Sequence, residues 1–212
     1  MMINELVKRI LSSIILIPIV LYFTIKGSFL FILFISTCFL IIAYEWHMMS
    51  KKKSYNIFGF IFLFFSFYTI YKLRINEIDE YWLILFIILI CVTTDIGGYV
   101  FGKTFNGPKL TKFSPNKTYA GMIGGYLLSI IFSIIFVNYQ FTEELPINWF
   151  IFVILVSSVS QIGDVIISYF KRLSNIKDTG KIIPGHGGLL DRIDGMIFAF
   201  PFSYIIILID FL

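Results

Sequence analysis

Apolar residues dominate seven stretches of the chain, and short polar segments separate them. The first stretch lies within MMINELVKRILSSIILIPIVLYFTI. The others cover about 28–46, 57–71, 81–101, 119–138, 147–170 and 193–211. Each approaches the roughly 20 residues a helix needs to cross the hydrocarbon of a bilayer, although 57–71 is short. Backbone polar groups in lipid must be satisfied within their own segment, so these runs are predicted to be helices. The first run has the charged head and apolar body of a signal peptide. No small-residue cleavage site precedes the next run, so it is predicted to be a retained span, with Pro18 placed to kink it. The predicted fold is all-α, a polytopic integral membrane helical bundle of about seven transmembrane helices. Residues 1–80 supply three N-terminal spans and 81–212 a second membrane domain, with no soluble domain and no convincing internal repeat.

Charge gives the orientation. With the N-terminus cytoplasmic, 14 of the 17 Lys and Arg residues fall on the inner side, and only Lys26, Lys72 and Arg74 fall outside. Inverting the chain would reverse that bias, so the positive-inside rule selects a cytoplasmic N-terminus. Two long polar segments, 102–118 and 171–192, then share the cytoplasmic side, where nucleotides are found. Basic loops there also attract anionic lipid headgroups. Composition agrees with a membrane class: 58% of residues are hydrophobic and 14% charged, more apolar surface than a soluble domain of 212 residues could hide. Cys38 and Cys91 both lie in apolar runs, so no disulfide framework is indicated.

Polar chemistry concentrates in 163–195, GDVIISYFKRLSNIKDTGKIIPGHGGLLDRIDG. Asp164 lies inside an apolar run, where a carboxylate is costly unless a cation or a polar cavity receives it. On a helix Asp164, Ser168 and Arg172 share one face, with Lys171 alongside. A short basic loop holding Lys177 and Asp178 follows. The PGHGG turn allows positive φ and close approach of backbone to a ligand. DRID then places Asp191 and Asp194 on one side of a helix start. Carboxylates among basic groups suit phosphate chemistry: the acids hold Mg²⁺, and the metal with Lys and Arg holds phosphates. Charges that merely fixed topology would account for Lys171, Arg172 and Lys181, but not for Asp164 or for four aspartates set among lysines.

A second stretch, 93–125, reads TTDIGGYVFGKTFNGPKLTKFSPNKTYAGMIGG. It has an acidic residue in an apolar run (Asp95), several glycines, and Lys103, Lys109, Lys112 and Lys117 as point charges for phosphates. Ser114, Thr118 and nearby backbone N–H groups add hydrogen-bonding capacity. Glycine-mediated helix packing and ordinary cytoplasmic lysines explain much of this stretch equally well. Glu45, Trp46 and His47 close the second run and read as an interfacial anchor.

The pattern S-x-x-K-R-x4-K-D-x5-P-G-H-G-G-x-x-D-R-x-D, from Ser168 to Asp194, closely resembles the signature of the phosphatidate cytidylyltransferases, or CDP-diacylglycerol synthases. So many fixed positions in one window make the match specific. The upstream stretch resembles the same family through D-x-G-x-Y-x-x-G and S-P-x-K-T, which here are Asp95, Gly97, Tyr99, Gly102, Ser114, Pro115, Lys117 and Thr118. Where many members carry Trp and then Glu or Gln, this chain has Tyr119 and Ala120, so Ala120 receives no role. The resemblance covers about 81–212 and makes that part the catalytic transmembrane domain, with 102–118 and 171–192 as substrate loops.

The resemblance implies transfer of CMP from CTP to phosphatidic acid, giving CDP-diacylglycerol and pyrophosphate. It implies catalytic roles for Asp164, Lys171, Arg172, Asp178, Asp191 and Arg192. It implies substrate binding by Asp95, Lys103, Ser114, Lys117, Thr118, Lys177, His186, Gly187 and Gly188. His186 alone could be a base, a phosphate ligand or a brace of the turn. The implied cofactor is Mg²⁺, with Asp164 and Asp191 as ligands and Ser168 and Asp194 in support. The expected partners are CTP, phosphatidic acid and the lipid bilayer, with no nucleic acid and a homodimer possible. The expected location is the inner (plasma) membrane, multi-pass, with the active site facing the cytoplasm. A CTP-dependent lipid kinase would transfer the γ-phosphoryl group instead, and a transporter would use Asp95 and Asp164 as a charged pathway. The full signature favours cytidylyl transfer over both. Reporter fusions near residues 110 and 180 are expected to report the cytoplasm, and a fusion near Glu143 the opposite side. Opposite signals at 110 and 180 would separate the two polar segments and contradict a shared site.

Overall fold

The computed structural model describes residues 2–75, 81–111, 114, 116–140, 147–183, 185 and 187–209. Its helices are α1 (Met2–Lys26), α2 (Ser28–Ser50), α3 (Asn56–Ile75), α4 (Trp82–Phe105), α5 (Tyr119–Gln140), α6 (Ile147–Leu173), α7 (Leu190–Ile193) and α8 (Met196–Leu208). The apolar runs are found as helices, the last of them, read as 193–211, as α8 over Met196–Leu208 with 210 and 211 outside the described residues, and the short run at 57–71 is lengthened at both ends, to Asn56–Ile75. Helices α2 to α6 are long and apolar enough, by length and composition, to cross a membrane. Helix α1 is 25 residues long, and the apolar helix α8, Met196–Leu208, is shorter. The 13 residues of α8 span about 20 Å, less than the ~30 Å of hydrocarbon. Between α7 and α8, Asp194 and Gly195 keep right-handed helical dihedrals. Helix α1 runs on through Pro18.

The distribution of side chains is that of a multi-pass membrane protein. Phe29, Leu40, Phe58, Phe64, Ile123 and Ile162 are exposed along helices, while Thr93, Thr94, Ser129, Ser157 and Ser160 are buried. Lipid tolerates the outward apolar surface, and small hydroxyl residues let membrane helices pack closely.

The chain forms two compact units. One comprises Met1–Tyr81 and Phe170–Asp194, and the other Trp82–Tyr169 and Gly195–Leu212. Segment 170–194 therefore groups with the N-terminal helices, whereas the division read from sequence puts it with 81–212.

In the first unit, Arg74 is buried at the end of α3. Its Nε donates to Thr24 O at 3.0 Å and its Nη2 to Ile25 O at 3.4 Å. Those carbonyls end α1, where a cation opposes the negative end of the helix dipole. Gly27 turns the chain there at φ 62°, with the Arg74 guanidinium where a Cβ would lie. A charge read from sequence as one of three outer-side residues is thus a helix cap. The α2–α3 turn is tied by Asn56 Nδ2 donating to Ser50 Oγ at 2.7 Å and Trp46 Nε1 donating to Asn56 O at 3.0 Å.

In the second unit, α4 and α5 meet through glycines. A Cβ on Gly121 would stand 2.6 Å from Gly98 O, and one on Gly97 would overlap the Gly124 carbonyl and stand 2.9 Å from Gly125 Cα. These glycines of the second stretch serve helix packing. Thr94 Oγ1 donates to Ser157 Oγ at 2.8 Å, and the Tyr126 and Ser158 hydroxyls lie 2.8 Å apart, fastening α6 to this pair. A Cβ on Gly98 would meet nothing nearer than Gly121 O at 3.8 Å, an ordinary contact. Two adjacent glycines should therefore respond differently. Gly97→Ala is expected to cost about 1–3 kcal/mol through overpacking, seen as a lower unfolding midpoint in detergent by size exclusion after heating. Gly98→Ala is expected to stay close to wild type; equal losses would contradict the packing.

Candidate active site

Helix α6 carries the first acidic group. In the second unit, Lys117 Nζ pairs with Asp164 Oδ2, and Ser168 Oγ donates to Asp164 Oδ1 at 3.3 Å. Asp164 is thus neutralised by a lysine from the second polar stretch, 93–125, rather than left alone in an apolar run. A small turn aims Lys117: Leu110 N donates to Lys117 O at 2.7 Å, Tyr119 N to Pro108 O at 3.2 Å, and Lys117 N to Ser114 O at 3.1 Å. Thr118 Oγ1 accepts Gly121 N at 3.1 Å and so N-caps α5. Ser114 N donates to Thr111 Oγ1 at 3.2 Å. Lys103 is exposed, with its ammonium 5.6 Å from the Tyr99 ring centroid, and Asp95 is exposed on α4.

The first unit holds the other acidic groups. Helix α6 ends in a left-handed cap: Asn175 has φ 56°, Asn175 N donates to Arg172 O at 3.0 Å, and Ile176 N to Lys171 O at 3.0 Å. Asparagine tolerates that conformation, so the chain turns sharply there. Lys171 Nζ donates to Asp191 Oδ1 at 2.9 Å and lies 3.8 Å from Asp194 Oδ2. Asp191 Oδ2 accepts Thr179 N at 2.8 Å and Gly188 N at 2.9 Å. Its side chain is only 5% exposed, so a lysine and two backbone amides compensate a nearly buried charge. Ile183 N donates to Gly187 O at 2.9 Å, closing a turn in which Gly185 and Gly187 have φ 76° and 88°. His186 and Pro184 lie outside the described residues. The Gly188 amide, read from sequence as a ligand contact, is engaged by Asp191.

Around this core the remaining charges face outward. Arg172, Lys177, Asp178, Lys181 and Arg192 are all exposed. Arg172 Nη1 donates to Ile176 O at 3.3 Å. Sequence reasoning missed Glu45. It is not an interfacial anchor: it is 1% exposed and Trp46 3%. Glu45 Oε1 accepts Leu189 N at 3.0 Å, and Oε2 accepts Leu190 N at 2.8 Å and Thr179 Oγ1 at 3.2 Å. The one available signal was an acid set among apolar residues, the same signal that marked Asp164.

Among the described residues no three His, Cys, Asp or Glu side chains converge. The donors come as Asp164 with Ser168, and as Asp191 with Asp194. Hard oxygens in such small sets fit Mg²⁺, which usually takes one or two carboxylates and completes its octahedron with water and substrate phosphate.

The helices and these charge clusters define a polytopic membrane protein equipped for phosphate chemistry at its polar segments. Residues 7–82 and 57–210 match the model of the cytidylyltransferase family. The chain is 36% identical to a phosphatidate cytidylyltransferase of Rickettsia bellii over 215 residues, covering 96% of this chain and 91% of the relative. It is 34% identical to one from Brucella suis, over 85% of this chain and 66% of the relative, and 39% identical to one from Bacillus subtilis, over 65% and 52%. The chain belongs to the cytidylyltransferase family.

Proposed function

We propose that the protein is a CTP:phosphatidate cytidylyltransferase, making CDP-diacylglycerol and pyrophosphate for phospholipid synthesis. The observation that carries the reading, beside family membership, is the Asp191 centre. A lysine and two loop amides hold a buried carboxylate in place, and exposed Arg172, Lys177 and Arg192 lie on the same segment.

The lipid phosphate is already anionic at neutral pH, so no strong general base is required. Its oxygen attacks the α-phosphorus of CTP; the new P–O bond forms as the bond to the β-phosphate oxygen breaks, and pyrophosphate leaves with that electron pair. The difficulty is bringing two anions together. Lys and Arg side chains neutralise charge on both, and their exposure puts them within reach of phosphate oxygens arriving from solvent. The proposed cofactor is Mg²⁺, for which Asp164 with Ser168, and Asp191 with Asp194, are the candidate oxygen donors; when bound it would neutralise triphosphate charge and polarise the α-phosphate. The acyl chains of phosphatidic acid stay in the bilayer, and the polar segments meet CTP from the cytoplasmic face of the inner membrane.

Purified protein given CTP, phosphatidic acid and Mg²⁺ is expected to yield CDP-diacylglycerol, detected by mass spectrometry of extracted lipid. Asp164→Asn and Asp191→Asn should each lower turnover by about 100-fold or more. Arg172→Ala should lower it more than Lys26→Ala or Lys72→Ala. Absence of product from monodisperse wild-type protein, or full turnover in either Asp variant, would contradict the reading.

A further inference from the structure

We infer that Glu45, on α2, is a positioning residue for the transfer reaction: its buried carboxylate holds the Thr179 hydroxyl and the Leu189 and Leu190 amides and so sets Asp191 and Lys171 in place. The inference rests on the cytidylyltransferase reading and concerns a residue that the sequence motifs do not include.

Two carboxylates grip one segment. Thr179 gives its N–H to Asp191 and its hydroxyl to Glu45. Three consecutive amides are divided in the same way, Gly188 to Asp191 and Leu189 and Leu190 to Glu45. The grip is tight. A Cβ on Gly180 would stand 2.6 Å from Glu45 Oε1, and one on Gly188 would stand 2.6 Å from both Glu45 oxygens. Two glycines therefore make room for this carboxylate, independently of any role in ligand binding. The end of α2 and the turn after it are locked to the segment's start by rings: Phe170 lies 5.5 Å from Trp46 and 4.7 Å from Tyr55, and the Tyr55 hydroxyl is 2.9 Å from Ser174 Oγ. Glu45 touches neither Lys171 nor Asp191 through a hydrogen bond; it acts on them through Thr179, whose hydroxyl it accepts while Asp191 accepts the N–H, and through the Leu189 and Leu190 amides that follow the Gly188 amide held by Asp191.

Glutamine is the discriminating replacement. It keeps the shape of Glu45, but both carboxylate oxygens accept hydrogen bonds, so its NH₂ must face either the Leu189 amide or the Leu190 and Thr179 donors. Donor would then meet donor in a buried place, and one amide would lose its partner.

The test uses full-length protein in detergent. Glu45→Gln is expected to lower kcat by about 10- to 100-fold, the usual cost of losing an outer-shell orienting group. KM for phosphatidic acid should change less than about threefold, since the lipid is not held by Glu45. Thr179→Ser keeps the hydroxyl and should hold near-normal kcat, while Thr179→Val should lower it. Amide hydrogen exchange should rise over 179–190 in Glu45→Gln and stay unchanged in α4 and α5. Unchanged exchange over 179–190 would overturn the inference whatever the activity. So would a wild-type kcat in Glu45→Gln, or an equal loss in Thr179→Ser and Thr179→Val. If wild-type protein made no CDP-diacylglycerol but exchange rose locally, the reaction reading would fail while the grip of Glu45 on the segment stood.

Discussion

The structure depends on carboxylates that hold backbone amides at a polar segment of a membrane chain. Among the described residues between Phe170 and Asp194, only the end of α6 and the four residues of α7 are helical, and no strand is formed. The segment's backbone donors must find partners elsewhere. Glu45 and Asp191 supply them, accepting amides of Thr179, Gly188, Leu189 and Leu190. Hydrogen bonds to charged groups are worth about 1.5–3 kcal/mol each, more than a neutral turn would gain. The cost is a pair of buried negative charges, and Lys171 offsets one of them. Of the two carboxylates that order the segment, Asp191 is also one of the proposed metal-binding groups, and Glu45 only supports it.

A parallel constraint governs the second unit. Helices in lipid gain little from burying apolar surface against each other, so close contact and buried hydroxyls must hold them. Gly97, Gly121 and Gly124 permit the contact, and Thr94, Ser157, Tyr126 and Ser158 supply the hydrogen bonds. Asp164 sits on the helix so fixed, and Lys117 is aimed at it from a turn that Thr118 anchors to the start of α5. The lysine and threonine of S-P-x-K-T thus have separate tasks, one electrostatic and one structural.

The helices were legible because an apolar run long enough to span lipid leaves the backbone one solution. Their ends were less so: Asn56 and Leu173 extend helices into polar sequence, where hydropathy carries no signal. The acidic residues Asp164 and Asp191 were legible from their cost in an apolar or glycine-rich setting. Glu45 carried a similar signal, but beside Trp46 and three lysines it looked like an interface residue. Its partners lie 134 to 145 residues further along the chain, beyond any local pattern. Glycine was the most ambiguous letter. In 93–125 it packs helices, while in 179–190 it admits a carboxylate, and sequence spacing alone separates neither from ligand binding. Arg74, counted by charge as an outer residue, is a helix cap because its aliphatic stem and fork can reach the last carbonyls of α1.

The central claim is that the chain joins the α-phosphorus of CTP to a lipid phosphate. Position-labelled nucleotide tests this most directly. Purified protein with phosphatidic acid and CTP carrying ³²P at either the α- or the γ-phosphate would be incubated and the lipid extracted. The account predicts that α-label enters the lipid fraction while γ-label leaves as pyrophosphate. Label from the γ-position in lipid, with the α-label left in CDP, would contradict it and make the protein a lipid kinase.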